Sequence, residues 1–266
     1  KKNKLNLNPK KKLGQNFLID ENVIKKIVEC APVSNKNEIL EIGPGTGNLT
    51  KFLIDKDPKK IFLIEKDKKL YEILKNKFGK KVEIFNEDIL KFKNKNILSN
   101  NTVIFGNLPY NISSQILTKF IFNFENFKFK MLIFMFQKEL ADRIIANVNS
   151  SNYGRLSIIS NWKFNINKVF DISSNSFFPK PKIKSSLLIF THKKNIYKFR
   201  NPKILEEITK VFFNQRRKKI KKQFNFLFNN NQEIVRKLNI DLNLRPQNLT
   251  PETYYNLTME LEKLRN

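Results

Sequence analysis

A single cysteine, Cys30, and a single histidine, His192, stand in this sequence of 266 residues. One thiol permits no internal disulfide, so a cross-linked framework is excluded and a thiol-reducing compartment is the simplest setting. The same scarcity excludes zinc sites that need two or more histidines or four cysteines. Long hydrophobic runs are missing too: Met131–Phe136 and Leu187–Phe190 are strand-length pieces, far short of a bilayer span. Acidic residues are few, with 24 Asp and Glu against 51 Lys and Arg, a net charge of +27. Arginine is scarce even among the cations, supplying only eight of those 51. The chain is crowded instead with Lys, Asn, Ile and 25 Phe, which share A- and T-rich codons, so part of the lysine excess belongs to composition alone. The remainder favours a polyanionic partner, most simply nucleic acid. The charge is spread along the chain, with +10 in residues 191–266 and +17 in the rest. The expectation is a soluble cytoplasmic protein with no metal.

Hydrophobic residues make up 40% and aromatics 12%, enough for a sizeable core in one large domain or a medium domain with an appendage. Six lysines among the first twelve residues read as a basic arm, without the apolar centre of a signal peptide or the Arg/Ser bias of a transit peptide. Val23, Ile24, Ile27, Val28 and Ala31 then recur at helical spacing, with Asp20 as N-cap and Pro32 as stop. Strand-length runs follow at Ile39–Ile42, Ile61–Ile64, Val82–Phe85, Val103–Phe105, Met131–Phe136, Phe164–Phe170 and Ser185–Phe190. Helical stretches fall near 48–55, 67–77, 112–124, 137–147 and 153–161. This alternation predicts an α/β fold with a mostly parallel sheet covered on both faces. Only a loop, Asp171–Lys184, joins the last two strands, so an antiparallel hairpin is expected at the sheet edge. Beyond His192 the strand signal disappears, and 202–229 and 250–265 read as helices. A boundary near 191 divides a domain of residues 1–191 from a small all-helical one of 192–266. Trp162, Cys30 and the Phe-rich stretch 120–136 read as core.

Motifs close the first four strands of this series. The first runs into Glu41-Ile42-Gly43-Pro44-Gly45-Thr46-Gly47-Asn48, where alternate glycines let the backbone bend sharply and come close to a ligand. Alone it is as readily a tight structural turn, and it matches neither the dinucleotide fingerprint nor a P-loop. The second strand ends in Glu65, placed to accept ribose hydroxyls; taken singly it reads better as a solvated charge in Glu65-Lys66-Asp67-Lys68. After the third strand, Asp88 offers either an acceptor for an adenine amino group or a helix cap. The fourth runs into Gly106-Asn107-Leu108-Pro109-Tyr110-Asn111. An aromatic amine is a poor nucleophile because its lone pair is delocalised into the ring. Acceptors on its hydrogens, the Asn107 side-chain oxygen and the Leu108 carbonyl, draw it towards a tetrahedral form. Pro109 stiffens the turn and Tyr110 offers a stacking face. As a bare tetrapeptide it is a Pro turn with a core Tyr; the combination on successive strands carries the functional reading.

Together with Gly14-Gln15-Asn16-Phe17-Leu18, Gln137-Lys138-Glu139, Tyr153-Gly154-Arg155-Leu156-Ser157, the run Phe177–Ile183 and Phe213–Lys218, these pieces span nearly the whole chain. They resemble Rossmann-like S-adenosylmethionine-dependent methyltransferases, and among them the ribosomal RNA small-subunit adenine N6-dimethyltransferases (KsgA type). The resemblance implies methyl transfer from S-adenosylmethionine to N6 of two adjacent adenosines near the 3′ end of small-subunit rRNA, during ribosome assembly. It implies that Asn16 and Leu18 close over the cofactor, Gly43 lies against it, Glu65 holds its ribose and Asp88 its adenine. Asn107 would sit between cofactor and target, and Tyr110 and Phe177 would sandwich the target base. A monomer is expected, with the immature small subunit as partner.

The densest basic run, Arg216-Arg217-Lys218-Lys219-Ile220-Lys221-Lys222, falls on a predicted helix and is the candidate RNA surface. Its competing reading is a solvated helix face. Arg143 and Arg155 fit either sheet support or RNA contact. Two other functions fit the same pattern: a large-subunit rRNA dimethyltransferase of the antibiotic-resistance type, and a non-catalytic RNA-binding assembly or transcription factor. Glu65, Asp88, Asn107 and Tyr110 are all present, which speaks against loss of activity.

Overall fold

A computed structural model describes residues 14–93, 97–123, 128–265. The basic arm, and Phe124 and Phe127 of the Phe-rich stretch, lie outside the described residues. The order begins β1 (Phe17–Leu18), α1 (Glu21–Glu29), β2 (Glu38–Ile42), α2 (Asn48–Ile54), β3 (Lys60–Ile64), α3 (Lys68–Phe78) and β4 (Glu83–Phe85). It continues with β5 (Thr102–Asn107), α4 (Ser113–Phe122), β6 (Met131–Gln137), α5 (Lys138–Ile144), α6 (Arg155–Lys163), β7 (Phe164–Ile172), β8 (Phe177–Phe178) and β9 (Ser185–His192). Then come α7 (Lys203–Phe213), α8 (Lys221–Phe228), α9 (Gln232–Lys237) and α10 (Pro251–Arg265).

Contacts divide the chain into two compact units. The first takes the described residues up to Ala141 together with Asn167–Thr191; the second takes Asp142–Ile166 and His192 onward. The chain therefore passes between units at 191/192, and also at 141/142 and 166/167.

The first unit is built on a sheet ordered β4-β3-β2-β5-β6-β9-β7. Strands β4 to β6 pair in parallel, and β9 runs antiparallel to β6. The hairpin expected from the last two strands sits at this end, with β9 inside and β7 at the edge. Strands β2, β3, β5 and β6 form because their runs of Ile, Leu, Val and Phe are buried on both faces, as central parallel strands require, whereas the edge strand β7 alternates between more and less exposed residues. Asp20 caps α1 as its position suggests, accepting from the N–H groups of Asn22 (3.1 Å) and Val23 (3.3 Å). Two elements escaped the sequence reading: β1, and β8 within the supposed loop 171–184, which pair antiparallel with Phe17 opposite Phe178 and Leu18 opposite Phe177. Cys30 is half-buried rather than buried, and its Sγ donates to the Lys26 carbonyl. Burial, then the charge of Glu29, raises its thiol pKa, so a reactive thiolate is disfavoured.

In the second unit, Trp162 is buried as expected and donates from its indole to the Tyr197 carbonyl at 2.8 Å. The single helix expected over 202–229 is two. Helix α7 ends at Phe213, and the basic run from Arg216 lies mostly on turns before α8 resumes at Lys221. Successive cations repel across helical i,i+3 and i,i+4 spacings. Here the buried Ile220 also gives its N–H to the Leu244 carbonyl at 2.9 Å, a long-range bond that fixes the break.

Candidate active site

Parallel strands in the order β4-β3-β2-β5 bring their carboxyl ends to one edge, so the motifs that follow them meet there. Register makes the meeting exact in height: Ile42 lies opposite Ile64 on one side and Gly106 on the other. The next residues, Gly43, Glu65 and Asn107, share one rim. Asn16, Leu18, Gly43, Glu65, Asp88, Asn107, Leu108, Pro109 and Tyr110 all line a single cleft. Phe177 does not. It is buried in the hydrophobic core with Leu18, its partner across β1 and β8.

The glycine loop is sterically obligatory at two places. Gly45 has φ +60°, and a Cβ there would stand 2.7 Å from the Phe17 ring. Gly47 has φ +78°, and its Cβ would meet the Phe78 ring at 2.4 Å. At Gly43, φ +65°, a Cβ would find only the Asn107 carbonyl, at 3.8 Å, so the surface above it is open to a ligand.

Two carboxyl groups lie beneath this loop. Glu65 accepts from the Gly45 N–H at 3.2 Å and the Asp67 N–H at 2.8 Å, one on each oxygen. Burial outweighs those bonds and pushes its pKa up to about 7. Glu41 accepts from the Thr50 hydroxyl at 2.6 Å. Burial, only partly offset by that bond, raises it to about 8. Glu41 carries no role in the motif reading; its strand position with a hydroxyl nine residues on is the signal that was available. Asp88 behaves differently. Burial acts against its charge, but the Lys66 ammonium at 2.7 Å and the Leu90 N–H at 2.9 Å hold its pKa below the usual range.

At the Asn107 turn, Nδ2 donates to the Asn16 carbonyl at 2.7 Å. That bond fixes the amide plane and assigns Oδ1 as the acceptor. Tyr110 shares a hydrogen bond with the Ser185 hydroxyl at 2.8 Å, which holds the ring at the mouth of the cleft. Burial raises the pKa of this phenol, the Ser185 bond countering in part, so it stays neutral. Asn48, unremarked in sequence, ties the Leu18 carbonyl to the start of α2 at 2.7 Å and so anchors β1 over the cleft.

The basic run lies in the second unit, and none of its residues lines this cleft. Arg216 is half-buried and donates to the Ser150 carbonyl at 3.1 Å, and Lys219 bonds Asn243 at 3.0 Å. Arg217, Lys218, Lys221 and Lys222 are exposed. Arg143, Arg155 and Arg216 line another cleft, within the second unit, beside Tyr153 and Phe213. Among the described residues no helix is long and apolar enough to cross a membrane.

Residues 6–263 match the family model for ribosomal RNA adenine dimethylase. The chain is 55% identical over 257 residues to a ribosomal RNA small subunit methyltransferase A of Pelagibacter ubique (strain HTCC1062), covering 96% of this chain and 98% of the relative. Among solved structures it is similar to a dimethyladenosine transferase from Plasmodium falciparum: TM-score 0.80, 27% identity, 93% of this chain and 98% of the other. A 23S rRNA methyltransferase, ErmE, shares the fold at TM-score 0.68 and 21% identity, over 92% of this chain and 99% of its own.

Proposed function

This chain belongs to the ribosomal RNA adenine dimethylase family, and from that premise we infer how its cleft performs the reaction. The protein is an enzyme that dimethylates N6 of adenosine in small-subunit rRNA, dependent on S-adenosylmethionine, in ribosome assembly. The finer reading is that the targets are two adjacent adenosines near the 3′ end, approached by a monomer. The observation that supports the mechanism is the bond from Asn107 Nδ2 to the Asn16 carbonyl, which engages the amide nitrogen and leaves Oδ1 as the acceptor offered to a substrate.

S-adenosylmethionine supplies an electrophilic methyl group on a sulfonium, which leaves as a neutral thioether. The cleft suits it: the open face of Gly43 admits close approach, Glu65 offers acceptors for ribose hydroxyls, and Asp88 one for an adenine amino group. Asn16 and Leu18 cover the cleft from β1. Asn107 Oδ1 and the Leu108 carbonyl accept the two N6 hydrogens of the target, concentrating the lone pair on nitrogen and directing it at the methyl group. Alignment and exclusion of water supply most of the acceleration in such a displacement. No general base is demanded, since the amine proton becomes acidic once nitrogen is alkylated, and no step calls for a metal. Tyr110 stacks on the target base, and Phe177 supports that side of the cleft from the core. Arg216, Arg217, Lys218, Lys219, Lys221 and Lys222 contact rRNA phosphates from the second unit.

The large-subunit alternative is disfavoured by the 55% identity to a small-subunit enzyme, against a likeness to ErmE that extends to the fold alone. The discriminating experiment offers labelled S-adenosylmethionine with separated, unmethylated small and large subunits. Label confined to the small subunit is the expected result; label on the large subunit would reverse the reading.

A further inference from the structure

The target-base turn has a neighbour with its own character. From Phe178 to Lys184 the chain presents Phe178, Lys180, Lys182, Ile183 and Lys184 to solvent. A lone exposed ring needs no explanation by itself. Three features single this one out. Phe178 is 54% exposed although its backbone is held in register against β1, opposite the buried Phe17 that packs on the glycine loop. The far end of the segment is fastened to the site as well, through the Lys138 N–H to Lys184 carbonyl bond at 2.9 Å and the Ser185–Tyr110 bond at 2.8 Å. Finally, no carboxylate occurs in sequence between Asp171 and Glu206, so the three lysines stand unopposed along the segment.

An aromatic face followed by cations, on a strand paired with the β1 residues that line the cleft, matches the chemistry of single-stranded nucleic acid. Rings stack bases irrespective of sequence, and ammonium groups follow the phosphates. A target adenosine taken out of its stack leaves its neighbour without a partner. We propose that Phe178 stacks the nucleotide beside the target adenosine, while Lys180, Lys182 and Lys184 hold the adjoining phosphates. The platform deepens the dimethyltransferase reading and rests on it: it keeps the strand in place while the target base enters the cleft. Phe178 is a binding and positioning residue here, with no part in the methyl transfer itself.

The test uses the full chain and a fluorescein-labelled single-stranded oligoribonucleotide carrying two adjacent adenosines. Phe178→Ala is expected to weaken binding about tenfold with an unchanged salt slope, and Phe178→Trp to restore it. Replacing the three lysines with Gln should lower the salt slope by about 2. All of these variants should keep the wild-type Tm and affinity for S-adenosylmethionine. Equal binding by wild type and Phe178→Ala would overturn the platform and leave the ring to a protein partner. Absence of binding by wild type, or a loss that Trp fails to rescue, would overturn it too. Methylation of small subunits by the wild type is read separately, so failure there strikes the function and leaves the binding result standing.

Discussion

In the proposed mechanism the chemistry turns on Asn107, whose amide nitrogen is bound to the Asn16 carbonyl and whose oxygen takes the acceptor role assigned to it there. Asn107→Ala should lower kcat by about 10³-fold, as loss of an oriented polar group at a reacting centre does, with the S-adenosylmethionine Kd within about twofold of wild type. Calorimetry beside a single-turnover assay checks both halves; wild-type turnover would end the assignment. Glu65 makes a pH-dependent statement. Its buried carboxyl at the cleft has a pKa of about 7, raised by burial, and the ionised form is the better acceptor for a ribose diol. Cofactor binding should therefore be linked to loss of a proton: Kd falls as pH rises through 7 and levels off above. Glu65→Gln should bind more weakly and flatly across the same range. A Kd that rises with pH in the wild type would contradict the role.

At the scale of elements, the loop from β2 to α2 holds its shape only with glycine. Gly47→Ala would place a methyl group 2.4 Å from Phe78 at φ +78°. Denaturant titration should show a loss of about 3 kcal/mol from strain and overpacking combined, and an unchanged midpoint would refute the close packing. This part of the molecule was legible in sequence. Strands β2, β3, β5 and β6 are apolar runs bounded by polar residues, and the motif after each of the first four strands in the parallel series is local. What was illegible depended on distant partners. Neither Phe177 nor Phe178 carries a mark saying which faces the core; pairing with Phe17 and Leu18 decides it. The break before α8 hides inside a stretch of good helix formers because Leu244, which fixes it, lies 24 residues beyond Ile220. Helix α9 lay concealed in an Asn-rich stretch, where Asn231 caps it by accepting from the Glu233 and Ile234 N–H groups.

For the whole molecule, +27 is a quantity that salt should reveal. Replacing four of the exposed cations, Arg217, Lys218, Lys221 and Lys222, with Gln should reduce the slope of log affinity against log salt by about 3 for small-subunit particles. Basal affinity for S-adenosylmethionine, whose proposed cleft is lined by residues of the other unit, should not change. An unaltered slope would make the run a solvated surface. On the proposed reading the two units divide the work: the parallel sheet would gather cofactor and base acceptors at one edge, and the second unit would supply charge for the polyanion. The central claim is tested most directly by reacting the protein with S-adenosylmethionine and unmethylated small subunits, then digesting the rRNA and mapping modified nucleosides by mass spectrometry. The expected product is N6,N6-dimethyladenosine at two neighbouring positions near the 3′ end, absent with Asn107→Ala. Modification elsewhere in the RNA, or equal modification by the variant, would contradict it.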